Sequence, residues 1–149
     1  MGASAWHYRV RYDSNPKAVL HRLHEEVLAT GDYYWRADVP KPTSLAGLHA
    51  LYGDAATEHL AEEGTHSILD IHQVGRAGAP DDFGTILPLP EKRVRAVFGT
   101  ATPTAEQFDA AYQNGMDTLD DFPRWSGRYT TLYENGAPSE VVVWGVSGD

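Results

Sequence analysis

Two histidines and one aspartate, His66, Asp70 and His72, are the side chains of this sequence whose types and spacing best fit chemistry. They lie in residues 64–74, which we interpret as a central strand with polar residues on one face. Successive side chains of a strand point to opposite faces, so these three polar residues are predicted to share one surface. Two imidazoles and a carboxylate are suitable ligands for a divalent metal ion. Without a metal, an imidazole whose tautomer is fixed by a carboxylate can act as a general base.

The spacing of these residues limits what they can do together. On an extended chain His66 and Asp70 are about 13 Å apart, too far to bind one ion unless a bulge brings them closer. Asp70 and His72, roughly 7 Å apart, form the better pair. The alternative is that all three are surface side chains or are hydrogen-bonded beneath a helix. We therefore predict no metal and no cofactor, and keep His66, Asp70 and His72 as catalytic candidates for the case that the protein is an enzyme.

Residues 33–35 and 124–128 form the second group of candidates. The first segment, Tyr-Tyr-Trp, is typical of core packing but also of ligand pockets and of hot spots in protein interfaces. The second, Arg-Trp-Ser-Gly-Arg, either joins a loop to a strand or offers two guanidinium groups to an anion beside an aromatic ring. The binding candidates are Tyr33, Tyr34, Trp35, Arg124, Trp125 and Arg128.

The composition indicates a folded protein with an acidic surface. The 149 residues are 42% hydrophobic and 11% aromatic, which fits one globular domain over residues 1–149 with a sizeable core. The 12 basic and 21 acidic residues give a net charge of -9, which argues against direct binding of nucleic acid. Such a charge either serves solubility or steers a basic protein partner towards an acidic face.

Several classes of function are excluded by residues that the sequence lacks. It has no cysteine, so disulfides, thiolate nucleophiles and cysteine-ligated metals are impossible. It has no Gly-x-Ser-x-Gly elbow, phosphate-binding loop or His-Glu-x-x-His pair, so no motif names a reaction. The first residues show no basic stretch before an apolar run, and nowhere are 18 consecutive residues apolar. We therefore expect a cytoplasmic protein that binds no membrane.

The remaining pattern predicts interleaved strands and helices. Residues 6–12 alternate between apolar or aromatic and polar side chains and predict a strand. Asn135-Gly136 between two β-rich runs predicts a hairpin, with a loop that Pro138 makes longer than two residues. The last run, residues 141–146, is apolar on both faces, which favours an interior strand or pairing across a dimer. Helices are predicted over residues 16–30, 45–52, 55–63, 91–98 and from 102 towards 123, with a loop at 75–82 and a short edge strand at 83–87.

The order of these elements predicts the fold class. The C-terminal hairpin must be antiparallel, and no repeating β-α-β period is present along the chain. We therefore expect an α+β fold in a single domain, with a mixed or antiparallel four- to five-stranded sheet and helices mainly on one face.

Two functions of different classes fit these observations. The first is a small acidic binding protein, for example an immunity or inhibitor protein, that binds a basic protein partner through acidic residues and exposed aromatic rings. The second is a small enzyme or ligand-binding protein whose pocket lies over His66, Asp70 and His72 and is walled by residues 33–35. We favour the first because no catalytic motif is complete. A flat acidic surface with exposed aromatic rings would strengthen it, and a deep pocket converging on His72 would reverse the ranking.

Overall fold

A computed structural model describes residues 3–115 and 119–148, which are built around a five-stranded mixed sheet. The strands in these ranges are β1 (Ser4–Arg11), β2 (Gln73–Val74), β3 (Thr85–Pro88), β4 (Ser126–Glu134) and β5 (Ala137–Ser147). The helices there are α1 (Pro16–Thr30), α2 (Leu45–Gly53), α3 (Leu60–Glu63), α4 (Glu91–Phe98) and α5 (Ala105–Gln113), with a 3₁₀ helix at Ile68–Asp70. The predicted α+β fold with a mixed sheet is confirmed.

The strands are arranged in the order β1-β5-β4-β3-β2. β5 is antiparallel to both of its neighbours, whereas β4, β3 and β2 are mutually parallel. β1 therefore runs in the same direction as these three strands. The N-terminal ends of β1, β2, β3 and β4 consequently lie at one end of the sheet, together with the C-terminal end of β5. A residue that immediately precedes one of these four strands is placed at that end.

Both faces of β5 are covered, which makes it the central strand of the core. Val141 and Val143 pack on one face with apolar side chains of α1 and α2. Val142 and Trp144 pack on the other face with apolar side chains of α4 and α5. The predicted interior strand is confirmed. The helices cover both faces of the sheet rather than mainly one, because a strand that is apolar on both sides needs cover on each.

Two helices have the predicted bounds because their end signals are local. α1 begins after Asn15, whose side chain accepts a hydrogen bond from the N–H of Lys17, and Pro16 lies in its first turn. It ends at Gly31, whose φ of +69° glycine adopts without strain. α4 likewise ends at Gly99 in the left-handed region. Capping residues beside an apolar stripe were sufficient to locate both helices.

The predicted central strand over residues 64–74 was wrong. Ser67 and Asp70 form a capping box that starts the 3₁₀ helix in the middle of this stretch. The last two residues of the segment join the sheet as β2, which is an edge strand and not a central one. Ile68, Leu69 and Ile71 are all buried, so buried and exposed faces do not alternate. Hydrogen bonds between nearby side chains and the backbone overrode the strand preference of the β-branched residues.

β3 and the hairpin differ from the prediction at their prolines. β3 was expected at an edge because of Pro88, but it lies between β2 and β4. β2 pairs with the first two residues of β3, so Pro88 lies beyond the end of β2, where no N–H is needed. The hairpin turn consists of two residues, Asn135 and Gly136, and Pro138 lies opposite Tyr133 beside a register shift in β4. Both prolines are therefore accommodated inside strands.

α5 is shorter than the helix predicted from residue 102 towards residue 123. It begins after Thr104, which caps it, and ends at Gln113. Residues 116–118 of the predicted helix lie outside the described residues. Leu119, beyond the end of α5, is buried in the same cluster as Phe108 of that helix. Both side chains therefore belong to the core.

The close approach of β1 and β4 to Gly145 of β5 provides a test of how these strands pack. A Cβ at Gly145 would lie 2.4 Å from the Trp6 ring and 2.7 Å from the carbonyl oxygen of Ser126. We expect Gly145→Ala to lower the free energy of unfolding by about 2 kcal/mol or more, because the Trp6 ring and the backbone at Ser126 would both have to shift. Urea denaturation measures the change. Gly53→Ala is the control, since the space beside Gly53 is open. Equal denaturation midpoints for the two variants would contradict this packing.

Candidate functional site

The buried carboxylate of Asp70 is the centre of a polar network at the end of the sheet where β1 to β4 begin. Asp70 is 4% exposed. Its Oδ1 accepts hydrogen bonds from the backbone N–H and the hydroxyl of Thr65, at 2.7 and 2.9 Å. Its Oδ2 accepts from the hydroxyl of Ser147 at 2.5 Å and from the N–H of Ser67 at 3.4 Å. Ser147 in turn accepts from the indole N–H of Trp6 at 3.0 Å. Both carboxylate oxygens are thus occupied by internal donors.

His66 is held by contacts of its own at the start of β1. Its φ of +53° is unusual for a residue other than glycine. Its Nδ1 lies 2.6 Å from the hydroxyl oxygen of Ser4. The ring packs edge-on against Tyr34, with 5.0 Å between the ring centroids. His66 therefore joins the segment before the 3₁₀ helix to β1 and to the loop that carries Tyr34.

His72 packs against other aromatic rings, and within the described residues no hydrogen bond joins its side chain to those of His66 or Asp70. Its ring centroid lies 5.7 Å from that of His49 and 6.3 Å from that of Phe83. Burial, and then the neighbouring His49, lower the pKa of His72, and Asp70 opposes them. The predicted common surface of His66, Asp70 and His72 was therefore wrong. The 3₁₀ helix turns the Asp70 side chain into the interior, where a straight strand would have aligned the three.

His49, His72, Phe83 and Trp125 form a continuous series of rings, which we call the aromatic row. The centroids of Phe83 and Trp125 are 5.8 Å apart, which continues the spacing between the histidines and Phe83. His72 directly precedes β2, Phe83 lies two residues before β3, and Trp125 directly precedes β4. Because parallel strands begin at the same end of a sheet, these three side chains lie next to one another. Phe83 is 61% exposed, and both histidines are exposed.

Two glycines allow the aromatic row to lie directly on the backbone. A Cβ at Gly84 would lie 2.5 Å from the His72 ring, and one at Gly64 would lie 2.5 Å from the Trp125 ring. Both glycines have positive φ angles, of +67° and +69°. Trp125 itself has a φ of +66°, a strained conformation of the kind that clusters at functional sites. The row therefore depends on specific backbone geometry beneath it.

The three aromatic residues 33–35 lie in a loop and have different environments. Tyr33 is buried in the core and donates its hydroxyl to a backbone carbonyl at 2.6 Å. Trp35 is half-buried, packs edge-on against Tyr33 and donates its indole N–H to a backbone carbonyl at 3.1 Å. Tyr34 is 48% exposed and lies 3.3 Å from the carboxylate of Glu63, which accepts from its hydroxyl. Of the three, Tyr34 is the one available to a partner.

Arg128 is a buried structural residue. Its Nε donates to Asp120 at 2.7 Å, and its two terminal nitrogens donate to Asp81 at 2.6 and 3.1 Å. The guanidinium also lies over the ring of Phe122, 5.1 Å from the centroid. The prediction that Arg128 offers its guanidinium to an external anion is therefore corrected, because its donors are bound to two carboxylates. Arg124 is exposed, directly before Trp125 of the aromatic row.

Two exposed carboxylates are close in sequence to residues of the aromatic row or to its backbone support. Asp82 directly precedes Phe83 and is exposed. Glu62, also exposed, lies two residues before Gly64, on which the Trp125 ring packs. The segment 54–63 contains four acidic residues and no lysine or arginine. The chain neighbours of the row thus include these carboxylates and one exposed guanidinium, that of Arg124.

No family is identified for this chain. Comparison with protein-family models, with curated proteins and with solved structures finds no significant match. Within residues 3–115 and 119–148, no group of three or more histidine, aspartate or glutamate side chains is placed to hold a metal ion. None of the helices in those ranges has both the length and the apolar character needed to cross a membrane. The function is therefore argued from the aromatic row and its surroundings.

His24 on α1 is a buried histidine that the sequence analysis missed. It is 6% exposed, and its Nε2 lies 2.9 Å from the carbonyl oxygen of Ile71 and 3.2 Å from that of Ile68. Carbonyl oxygens can only accept, so Nε2 carries the proton. Burial lowers the pKa of His24, although the two hydrogen bonds act in the opposite direction. The ring is therefore neutral near neutral pH.

Phe83 and His49 were also absent from the predicted site. Phe83 was assigned to a strand, whereas it lies in the turn that precedes β3. A local signal existed, because an aromatic residue between two aspartates and a glycine is typical of an exposed turn. His49 and His24 carry no such signal. Their places depend on how α2 and α1 pack against the segment that contains the 3₁₀ helix.

Replacing Asp70 tests the buried network. Asp70→Asn keeps the size of the side chain but directs an NH₂ group at hydrogen-bond donors. We expect the free energy of unfolding to fall by about 3 kcal/mol, because charge-assisted bonds are lost in a buried site. Guanidinium denaturation measures the loss against Glu62→Gln, an exposed carboxylate on α3 that should change stability by less than about 0.5 kcal/mol. Similar losses in both variants would show that Asp70 does not anchor the fold.

The pKa of His24 predicts a pH-dependent stability. Its pKa in the folded protein is lowered from 6.5, so the unfolded chain binds more protons as the pH falls through that value. The free energy of unfolding should therefore decrease on acidification from about pH 8 to about pH 5. His24→Gln keeps an N–H donor and removes the titration, so this slope should become smaller. His7 and His72, whose pKa values are also lowered, leave a residual slope. An unchanged slope in His24→Gln would refute the assignment.

Proposed function

We propose that this protein is a small acidic binding protein of the immunity or inhibitor type, which binds a basic protein partner at the aromatic row. The observation that carries the proposal is the Phe83 ring, which is 61% exposed between His72 and Trp125. We place this interaction in the cytoplasm, the location expected from the sequence.

The aromatic row has the properties of an interface hot spot. Aromatic side chains are enriched in hot spots because they bury a large apolar area with few rotatable bonds. Three of the four rings are attached where paired strands begin, and two of them lie on glycine backbone. A group held in this way loses little conformational entropy when a partner binds.

The charges around the row indicate the chemistry of the partner. The chain has a net charge of -9, and the exposed carboxylates of Asp82 and Glu62 belong to the segments that carry Phe83 and that support Trp125. Complementary charge speeds the encounter and discriminates against partners of the same sign. The phosphate backbone of a nucleic acid would be repelled, so a basic protein is the favoured partner.

The second candidate, an enzyme that uses His66, Asp70 and His72, has less support. Both oxygens of Asp70 accept hydrogen bonds from internal donors, and the two imidazoles contact different neighbours. A general base must reach the proton that it removes from a substrate. Asp70 is 4% exposed, which favours a structural role for it.

Substitution of Phe83 tests the binding proposal. Tagged wild-type protein, Phe83→Ala and Tyr12→Ala are mixed with a lysate of the source cells, and bound proteins are identified by mass spectrometry. Tyr12 is the matched control, because it is also exposed but lies just beyond β1 at the opposite end of the sheet. We expect a basic protein to be recovered by wild type and Tyr12→Ala. Phe83→Ala should bind the purified partner about thirtyfold more weakly, since a hot-spot truncation costs about 2 kcal/mol.

The charge dependence of the interaction provides a second measurement. Asp82→Asn should slow association with the purified partner and reduce the effect of added salt on that rate, because long-range attraction is weakened. Far-UV circular dichroism of each variant checks that the fold is retained. Recovery of the same proteins at the same affinity by Phe83→Ala, or a partner with an acidic binding surface, would overturn the proposal.

A further inference from the structure

A cavity lies between α1 and α2. It has two adjoining parts, of 360 and 340 Å³, which share His21, His24 and Leu45. One wall is a stripe of α1, and the facing wall is formed by the start of α2 and by β2. We call it the α1–α2 cavity. Its volume is in the range of sites that hold small molecules.

His24 is the buried polar group that lines both parts of this cavity. The carbonyl oxygens of Ile68 and Ile71 fix its Nε2 as a donor, so the lone pair is on Nδ1. Among the residues that the structure describes, Nδ1 has no hydrogen-bond partner. The Nδ1 atom is not fully buried, so a donor on a molecule in the cavity can reach it and form a hydrogen bond. The cavity therefore offers one oriented acceptor.

The rest of the lining divides into an apolar part and a polar rim. Leu28, Ala29 and Leu45 contribute apolar surface to one part of the cavity. Lys17 and His21 are exposed and line the part that is closer to β2. A molecule in this cavity would contact carbon atoms over most of its surface and would meet the buried imidazole of His24.

We propose that the α1–α2 cavity binds a small, mainly apolar alcohol or phenol, whose hydroxyl donates a hydrogen bond to Nδ1 of His24. The apolar body of this ligand contacts Leu28 and Leu45. The cavity shares His72 with the aromatic row, but its ligand contacts are His24, Leu28 and Leu45, so the inference does not depend on the function proposed above.

Because Nδ1 of His24 can only accept a hydrogen bond, a hydroxyl suits it better than a carboxylate or an ammonium group. A carboxylate can only accept hydrogen bonds, and a neutral imidazole that is protonated on Nε2 has no donor at Nδ1. An ammonium group could donate too, but it would lose its hydration in the mainly apolar part of the cavity, where the carboxylate of Glu25 in the lining already lies 2.9 Å from His21. A neutral hydroxyl satisfies the acceptor without that desolvation cost.

The test compares para-cresol with toluene, which has nearly the same shape but no hydroxyl. Each is titrated into the ¹⁵N-labelled full chain, and NMR follows the imidazole nitrogens of His24. We expect para-cresol to bind about tenfold more tightly than toluene, the effect of one hydrogen bond. The Nδ1 resonance of His24 should shift with para-cresol and stay in place with toluene.

A cavity-filling variant locates the binding site. Leu45→Trp should abolish the binding of both compounds, because the larger side chain occupies the space that they need. Leu51→Trp is the matched control, since Leu51 is also half-buried on α2 but lies outside the lining of this cavity. Equal affinities for para-cresol and toluene, an Nδ1 resonance that does not move, or no binding of para-cresol would each overturn the proposal. The wild-type NMR comparison decides the question even if Leu45→Trp fails to fold.

Discussion

The burial of the Asp70 carboxylate is the constraint on which the rest of this structure depends. A charge in the protein interior costs several kcal/mol unless donors surround it. Here the donors come from Thr65, Ser67 and Ser147, so the condition is met only when both β5 and the residues around the 3₁₀ helix are in place. Trp6 extends the same chain of hydrogen bonds to β1. One side chain thus connects distant parts of the sequence.

The position of the aromatic row follows from this connection. The segment held by Asp70 begins at Gly64, against the Trp125 ring, and ends at His72, against Gly84. The parallel arrangement of β2, β3 and β4 then brings the residues before each strand to one end of the sheet. The exposed rings are therefore supported by the segment that the Asp70 network holds in place. This arrangement suits a surface that must keep its shape while it binds.

The two proposed sites share one residue. His72 belongs to the aromatic row and also lines the α1–α2 cavity. Phe83 of the row is exposed and follows the carboxylate of Asp82, which suits a protein surface of opposite charge. The cavity is a partly open cleft that is largely apolar on one side and contains the neutral imidazole of His24, which suits a small uncharged molecule. The difference between the sites thus arises from burial and charge, although both are built around the same segment.

The sequence by itself determined the elements whose signals are local. Capping residues and glycine located α1 and α4, and the apolar faces of residues 141–146 predicted an interior strand, because these features need no distant partner. Local and tertiary contacts together decided the course of residues 64–74: the Ser67–Asp70 capping box starts the turn, and the hydrogen bond from Ser147 of β5 holds Asp70 in the interior. Tertiary structure also decided where the aromatic row forms. Phe83 and Trp125 are far apart in the chain, and they meet because parallel strands begin side by side, a relation that no local pattern contains.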